Sequence, residues 1–225
     1  MNQVFVSWSG GKDSCLACYR AIAGGLKVRY LANMVTEDGT RSRTHGLSVQ
    51  VLQAQSQAIG IPLVQRRTTW NGYEAEFKKM LRAFKQEGIE GGIFGDIDIA
   101  GHREWVERVC GEENITPHLP LWGEEQGEIL RDFIASGFKA IVVATKADVL
   151  GEEWLGRRID LDFIDQLSEL KKTKDITLCG EAGEYHTIVV DGPLFQKRME
   201  IGETRKVLRD KHWFLEILST DLRAK

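Results

Sequence analysis

Six consecutive residues, Ser9-Gly10-Gly11-Lys12-Asp13-Ser14, bring together the groups that an anion-binding loop needs. A glycine pair lets the backbone approach a ligand closely and turn its N–H groups inward, and two hydroxyls and an ammonium add further donors. A helix starting just after such a loop contributes its unpaired N–H groups and a partial positive charge. Asp13 is out of place among these donors unless it holds a divalent metal or caps the helix. The plainer alternative is a strand–turn–helix junction with glycine for the turn and Asp or Ser for the cap. Two familiar phosphate motifs are excluded. Asp13 stands where the Walker pattern needs Ser or Thr after the lysine, and no G-x-G-x-x-G occurs.

A second group of reactive side chains is scattered through the rest of the chain. Glu181 and Glu184 lie three residues apart in a glycine-flanked stretch, and His186 follows. Paired carboxylates there could orient an ammonium, deprotonate an attacking amine or hold a second metal, or be ordinary surface-turn glutamates. His186 reads as a base, a substrate contact or a strand-edge histidine. Asp96 follows a short glycine-flanked apolar run, and His45 follows the second strand-like run. His102 and Arg103 open a helical pattern, where they could meet an anion or simply face solvent.

The elements that must position these groups are legible from periodicity. Val4–Trp8 is an apolar strand ended by Ser9-Gly10-Gly11, followed by a helix over Ser14–Ala23 that stops at Gly24-Gly25. Strand and helix then alternate: Val28–Val35, Leu47–Ile59, Ile61–Val64, a helix from Asn71 or Gly72 to Gly88, Gly91–Gly95, His102–Glu113, His118–Leu121, Gly127–Ala135 and Lys139–Ala144. Five or six β–α units in a row predict a doubly wound parallel sheet covered by helices on both faces. Ligands of such sheets bind at the C-terminal ends of the strands, where Ser9–Ser14, His45 and Asp96 all fall.

After residue 146 the rhythm changes. A helix over Asp162–Lys171, with Asp162 as N-cap, precedes strands at Ile176–Cys179, Thr187–Val190, Met199–Ile201, Arg205–Leu208 and Trp213–Leu218. The expectation is two parts in close contact: residues 1–146, an α/β part that carries the Ser9–Ser14 loop, and residues 147–225, smaller and mainly β.

The balance of 30 basic against 33 acidic residues gives no bulk attraction to nucleic acid or anionic membrane. No apolar run approaches a membrane span, and Met1–Trp8 has no signal-peptide pattern, so the cytoplasm is the expected location. Four cysteines do not make a disulfide framework; Cys15 and Cys18 share a helix face and read as small core residues rather than metal or redox groups. The six tryptophans show no stacking period and read as packing residues.

The Ser-Gly-Gly-Lys-Asp-Ser loop resembles the PP-loop of ATP pyrophosphatases, which cleave ATP to AMP and pyrophosphate. Within that superfamily the chain resembles the diphthine–ammonia ligase (ATP-binding type 4) family. The segments that carry this are Thr44-His45-Gly46, Gly95-Asp96-Ile97 with His102-Arg103, Pro120-Leu121-Trp122, Leu155-Gly156-Arg157, Gly180 to Thr187, and Asp191 to Phe195. They occur in the family's order across about residues 4–195, and the loop together with Glu-x-Gly-Glu is far more specific than the loop alone.

The resemblance implies a HUP-type domain with ATP across the C-terminal edge of its sheet, and a C-terminal part that completes the active site. It also implies a reaction in which ATP adenylates a carboxylate and ammonia displaces AMP to give an amide. In the best-known members the carboxylate belongs to diphthine, a modified histidine of translation elongation factor 2. Adenylation needs cations on the phosphates, which Lys12 and a Mg²⁺ held partly by Asp13 would supply; Lys12→Ala is expected to abolish turnover and leave the fold intact. The family's Glu-Gly-Gly-Glu is followed two positions on by an acidic residue, whereas Ala182 and His186 stand here. That departure leaves the nucleotide chemistry in place and the acceptor open. Two rivals remain: a tRNA-modifying PP-loop enzyme, which would show a catalytic cysteine pair or a basic RNA-binding part, and a non-catalytic nucleotide sensor. Oligomeric state, a homo-oligomer included, stays open.

Overall fold

A computed structural model describes residues 2–225. Its first part is a five-stranded sheet built from β1 (Gln3–Ser7), β2 (Lys27–Val35), β3 (Leu63–Arg67), β4 (Gly91–Ile93) and β5 (Thr116–His118). The order is β3-β2-β1-β4-β5, with every pairing parallel. Helices α1 (Lys12–Ala23), α2 (Val49–Ile59), α3 (Tyr73–Gln86) and α4 (Ala100–Glu112) connect the strands.

The central strand shows why the sequence folds this way. Val4, Phe5 and Val6 are all fully buried, because a strand covered on both faces needs an unbroken apolar run. Each such side chain contributes about 1.5–3 kcal/mol relative to exposure. Val4 and Val6 pack with α1 and α2, whereas Phe5 joins Phe77, Met80, Leu81 and Phe84 of α3 on the other face. The chain winds outward through β2 and β3, then crosses to β4 and β5. The reversal falls between β1 and β4, and their C-terminal ends form the crevice in which ligands of doubly wound sheets bind.

The second part contains α5 (Gln126–Ala135), β6 (Lys139–Lys146), α6 (Leu161–Lys171), β7 (Tyr185–Asp191), β8 (Lys197–Ile201), β9 (Thr204–Arg209), β10 (His212–Ile217) and β11 (Thr220–Ala224). An antiparallel sheet runs β7-β6-β10-β9, and β11 pairs antiparallel with β8. Both parts share one core: Leu16, Val51 and Leu52 of α1 and α2 cluster with Phe133, Val142, Phe163 and Ile188.

Four local expectations change. The Lys139–Ala144 run, read as a further strand of the parallel sheet, lies in the antiparallel sheet, so the second part starts upstream of residue 147. An apolar run reports burial on both faces and is silent about strand direction. The cap of α6 is Asp160, which accepts from Phe163 N–H, rather than Asp162. Ile176–Cys179 is a turn rather than a strand, for a reason given below. Trp70 is 63% exposed rather than part of the core.

Candidate active site

The Ser9–Ser14 loop leaves β1 at the switch point and runs into α1. Gly10 has φ +81°, and a Cβ there would lie 2.6 Å from Leu52 Cδ2, so only glycine fits. A Cβ on Gly11 would sit 2.9 Å from His45 Cε1, which shows how tightly that histidine covers the loop. The Ser9 hydroxyl lies 3.1 Å from the Ser14 hydroxyl and accepts from Gly11 N–H at 3.2 Å. Asp13 makes no helix cap; α1 is capped at Gly11 without a side-chain bond.

The second part fastens this loop from outside. Lys12 N–H donates to Thr187 Oγ1 at 3.0 Å, and Val189 N–H to the Gly10 carbonyl at 3.0 Å. Gln55 of α2 completes the link: its amide NH₂ donates to the Gly10 and Val189 carbonyls at 2.9 and 2.7 Å, while its oxygen accepts from the Trp8 indole at 2.9 Å. Gln55 occupies the buried stripe of its helix between Val51 and Ile59. A polar residue at core spacing was the one sign in the sequence that could have pointed to it.

Lys12 is 3% exposed. Its ammonium donates to both Asp13 carboxylate oxygens, at 2.8 and 3.0 Å, and to the Cys179 carbonyl, and lies 5.2 Å from the centre of the Tyr185 ring. Burial opposes its charge, yet Asp13, Tyr185 and Cys179 outweigh burial and hold the pKa above the ordinary value. Burial pushes the Asp13 carboxyl up, and Lys12 counters this only in part. Lys12 therefore belongs to the fold as well as the site. Removing one partner of a buried pair strands the other, so Lys12→Ala should cost stability as well as turnover.

These groups line one cavity of about 310 Å³, open to solvent, which also takes in Asn33, Arg43, His45, Tyr73, Asp96, His102, Cys179, Glu181 and His186. Residues some 170 positions apart in sequence meet here. Glu181 stands in the wall with its pKa pushed up to about 7, by burial first and then by the carboxylates of Asp13, Asp96 and Asp98, against the pull of Lys12. His45 and His186 stack at 4.3 Å between ring centres. Burial, then His186 and Lys12, holds His45 well below its ordinary pKa, and burial, Lys12 and His212 bring His186 down to about 4. Both imidazoles are neutral near pH 7, and His186 is a correspondingly weak base. His102 approaches Asp96 at 3.3 Å and is raised chiefly by that contact.

Two expected site residues lie elsewhere. Glu184 is buried outside the cavity wall, its oxygens accepting from the N–H and hydroxyl of Thr177. It fastens the 177–184 turn and positions Glu181, whose N–H donates to Thr177 Oγ1 at 2.8 Å. This also explains why Ile176–Cys179 is not a strand. Side chains of Glu184, Tyr185, Lys12 and Gln126 take the backbone groups that a neighbouring strand would have taken. Arg103 pairs with Glu107 at 2.6 Å and lies over Trp122, away from the cavity. Cys15 and Cys18 are buried in the core, and burial raises the Cys179 thiol to about 12.

Asp13 and the loop hydroxyls suit Mg²⁺, which is commonly held by one or two carboxylates together with substrate phosphates. Among the described residues no cluster of three or more ligating side chains offers a complete protein cage. No helix there is long and apolar enough to cross a membrane.

Comparison with known proteins bears on the same residues. A family model described as the diphthamide synthase N-terminal domain matches residues 2–117, and one described as the diphthamide synthase C-terminal domain matches 125–222. A diphthine–ammonia ligase of Mus musculus is 31% identical, and those of Rattus norvegicus and Homo sapiens are 30% identical. Each alignment covers 93% of this chain and 86% of the relative. Among solved structures, a predicted subunit of tRNA methyltransferase from Methanocaldococcus jannaschii aligns over 86% of this chain and 98% of that one. Its TM-score is 0.45 at 16% identity, too loose a likeness to bear on activity.

Proposed function

Because the chain belongs to the diphthamide synthase family, an ATP-dependent ligase family that joins carbon to nitrogen, we propose that it adenylates a carboxylate and amidates it with ammonia. The products are AMP and pyrophosphate. The observation that carries this reading is the meeting of the Ser9–Ser14 loop with Glu181 in one cavity.

Each half-reaction finds matching groups. ATP lays its triphosphate along the loop, where backbone N–H groups, the Ser9 and Ser14 hydroxyls and the α1 N-terminus receive anionic oxygens. Lys12 leaves its Asp13 pair in part to follow charge onto the pyrophosphate. Mg²⁺, when bound, would be held by Asp13 and phosphate oxygens, and would supply further charge neutralisation there. A carboxylate oxygen then forms a bond to the α-phosphorus as the bond to pyrophosphate breaks. Ammonia forms a bond to the acyl carbon, the bond to AMP breaks, and a proton leaves the new nitrogen. Glu181, with a pKa near 7, is matched to accept that proton near neutral pH. Asp96 holds His102 toward the same end of the cavity. His45 covers the loop at Gly11, and His186 stacks on it.

The acceptor of the named relatives is diphthine; what extends to this chain is the carboxylate–ammonia chemistry. The test is to incubate the protein with ATP, Mg²⁺, ammonium and elongation factor 2 bearing diphthine, and separately with small carboxylic acids. AMP and pyrophosphate formed only when an acceptor is present is the expected result. ADP and phosphate as sole products would overturn the reading.

A further inference from the structure

Arg43 is the one arginine in the cavity wall. Among the described residues its side chain has no hydrogen bond and no acidic partner, and its Nε is buried without an acceptor. Its backbone N–H donates to the Met34 carbonyl at 2.9 Å, which sets the side chain at the β2 side of the loop, two residues before the histidine that covers Gly11. The guanidinium lies 4.7 Å from the centre of the Trp70 ring. Trp70 in turn stacks on Tyr73, also in the wall, at 6.2 Å and 25°. A 63%-exposed tryptophan resting on two wall residues stands at the rim of the cavity, where water contact is expensive for its apolar faces.

None of the other basic groups of the cavity is left for the acceptor, Lys12 serving the phosphates. Lys12 is buried against Asp13 and the Cys179 carbonyl. His102 sits beside Asp96 at the acidic end, and the stacked His45–His186 pair is neutral. Adenylation brings a second anion to the polyphosphate, and like charges in contact repel strongly where water is scarce. Something cationic must offset that repulsion and aim the carboxylate. A guanidinium is suited to both, since its planar fork meets a carboxylate through two parallel hydrogen bonds.

We propose that Arg43, backed by Trp70, is the acceptor's carboxylate clamp, so that acceptors enter over the Trp70 rim and must present a free carboxylate to Arg43. This rests on the ligase reading above and adds to it a residue that selects the substrate. Trp70 backs the guanidinium at 4.7 Å, and the terminal guanidinium nitrogens are left for the ligand.

The test uses the full chain and separates the clamp from the nucleotide site. ATP affinity is measured by titration calorimetry in wild type, Arg43→Met, Arg43→Lys and Trp70→Phe. Acetate, succinate and glutarate are then titrated into the AMP-loaded proteins, by calorimetry and by the tryptophan fluorescence that Trp70→Phe removes. Wild type should bind at least one of these carboxylates saturably. Arg43→Met should lose tenfold or more of that affinity, with ATP affinity within twofold and an unchanged melting temperature. Arg43→Lys should recover part of it, since the charge is kept and the fork is lost. A tenfold loss of ATP affinity in Arg43→Met would make Arg43 a nucleotide contact and overturn the clamp. So would carboxylate binding that is absent in wild type or indifferent to the variant. Failure of wild type to bind ATP at all would instead remove the ligase reading beneath it.

Discussion

Glu181→Gln tests the electrostatics of the cavity most directly. Burial and the neighbouring carboxylates of Asp13, Asp96 and Asp98 raise the carboxyl from its ordinary 4.5 to about 7. That rise corresponds to about 3 kcal/mol of unfavourable ionisation at the usual conversion. Solvent at a partly exposed wall position screens this to about 2 kcal/mol. The direction follows from proton counting. Below about pH 4.5 both folded and unfolded chains hold the proton. Between there and about pH 7 only the folded chain keeps it, so stability falls as pH rises through that window and levels off above it. Glutamine has no such proton. Thermal melts at pH 5 and pH 8 should therefore differ less in Glu181→Gln than in wild type, by about 4–8 °C for a chain of this size. The neutral histidines titrate in both proteins and cancel in the comparison. In AMP-formation assays at saturating ATP and a fixed concentration of free ammonia, wild type should gain rate as pH rises through about 7, with the midpoint moved upward by the bound phosphates, and the variant should lack that limb. Parallel melting profiles in the two proteins would refute the raised pKa, and an unchanged rate limb would refute Glu181 as the base.

Lys12→Ala should abolish AMP formation and also lower the melting temperature, because Asp13 and the Cys179 carbonyl lose their buried partner at about 3 kcal/mol or more. The double variant Lys12→Ala/Asp13→Ala should melt higher than the single one, since no stranded carboxylate remains; calorimetric melts of both check this. Gln55→Leu should cost about 2 kcal/mol or more and weaken ATP binding, by leaving the Trp8 indole without its acceptor and taking one donor each from the Gly10 and Val189 carbonyls. Denaturant titration and ATP calorimetry read the two effects. Glu184→Ala should free the 177–184 turn, seen as faster amide hydrogen exchange there and a loss of about 1–3 kcal/mol, with activity reduced through a misplaced Glu181.

The loop, the parallel sheet and the place of the site could be read in the sequence because each depends on neighbours along the chain. A glycine pair between an apolar run and a helical stripe has few other structural uses, and the order of strands and helices puts that loop at the carboxyl edge. Asp96 and His45 followed from the same rule, His102 from its place at the start of a helical pattern, and all three line the cavity. Arg103 did not, although it is adjacent to His102. One residue along a helix turns a side chain by about 100°, and its ion pair with Glu107 draws it further outward.

What the sequence alone determined is therefore local: which backbone segment receives phosphate, and which carboxylates and histidines stand near enough in pattern to be candidates. The tertiary structure divided their labour. Glu181 and Glu184 have the same chemistry and nearly the same position, yet one faces a cavity among other carboxylates and the other is consumed by Thr177. Thr187, Gln55 and Arg43 entered the site only through contacts that span the fold. Proton affinity and hydrogen-bond partnership depend on how much solvent and which charges lie within a few ångströms. Those neighbours come from α2, the β2 loop and β7, whose approach no spacing along the chain encodes.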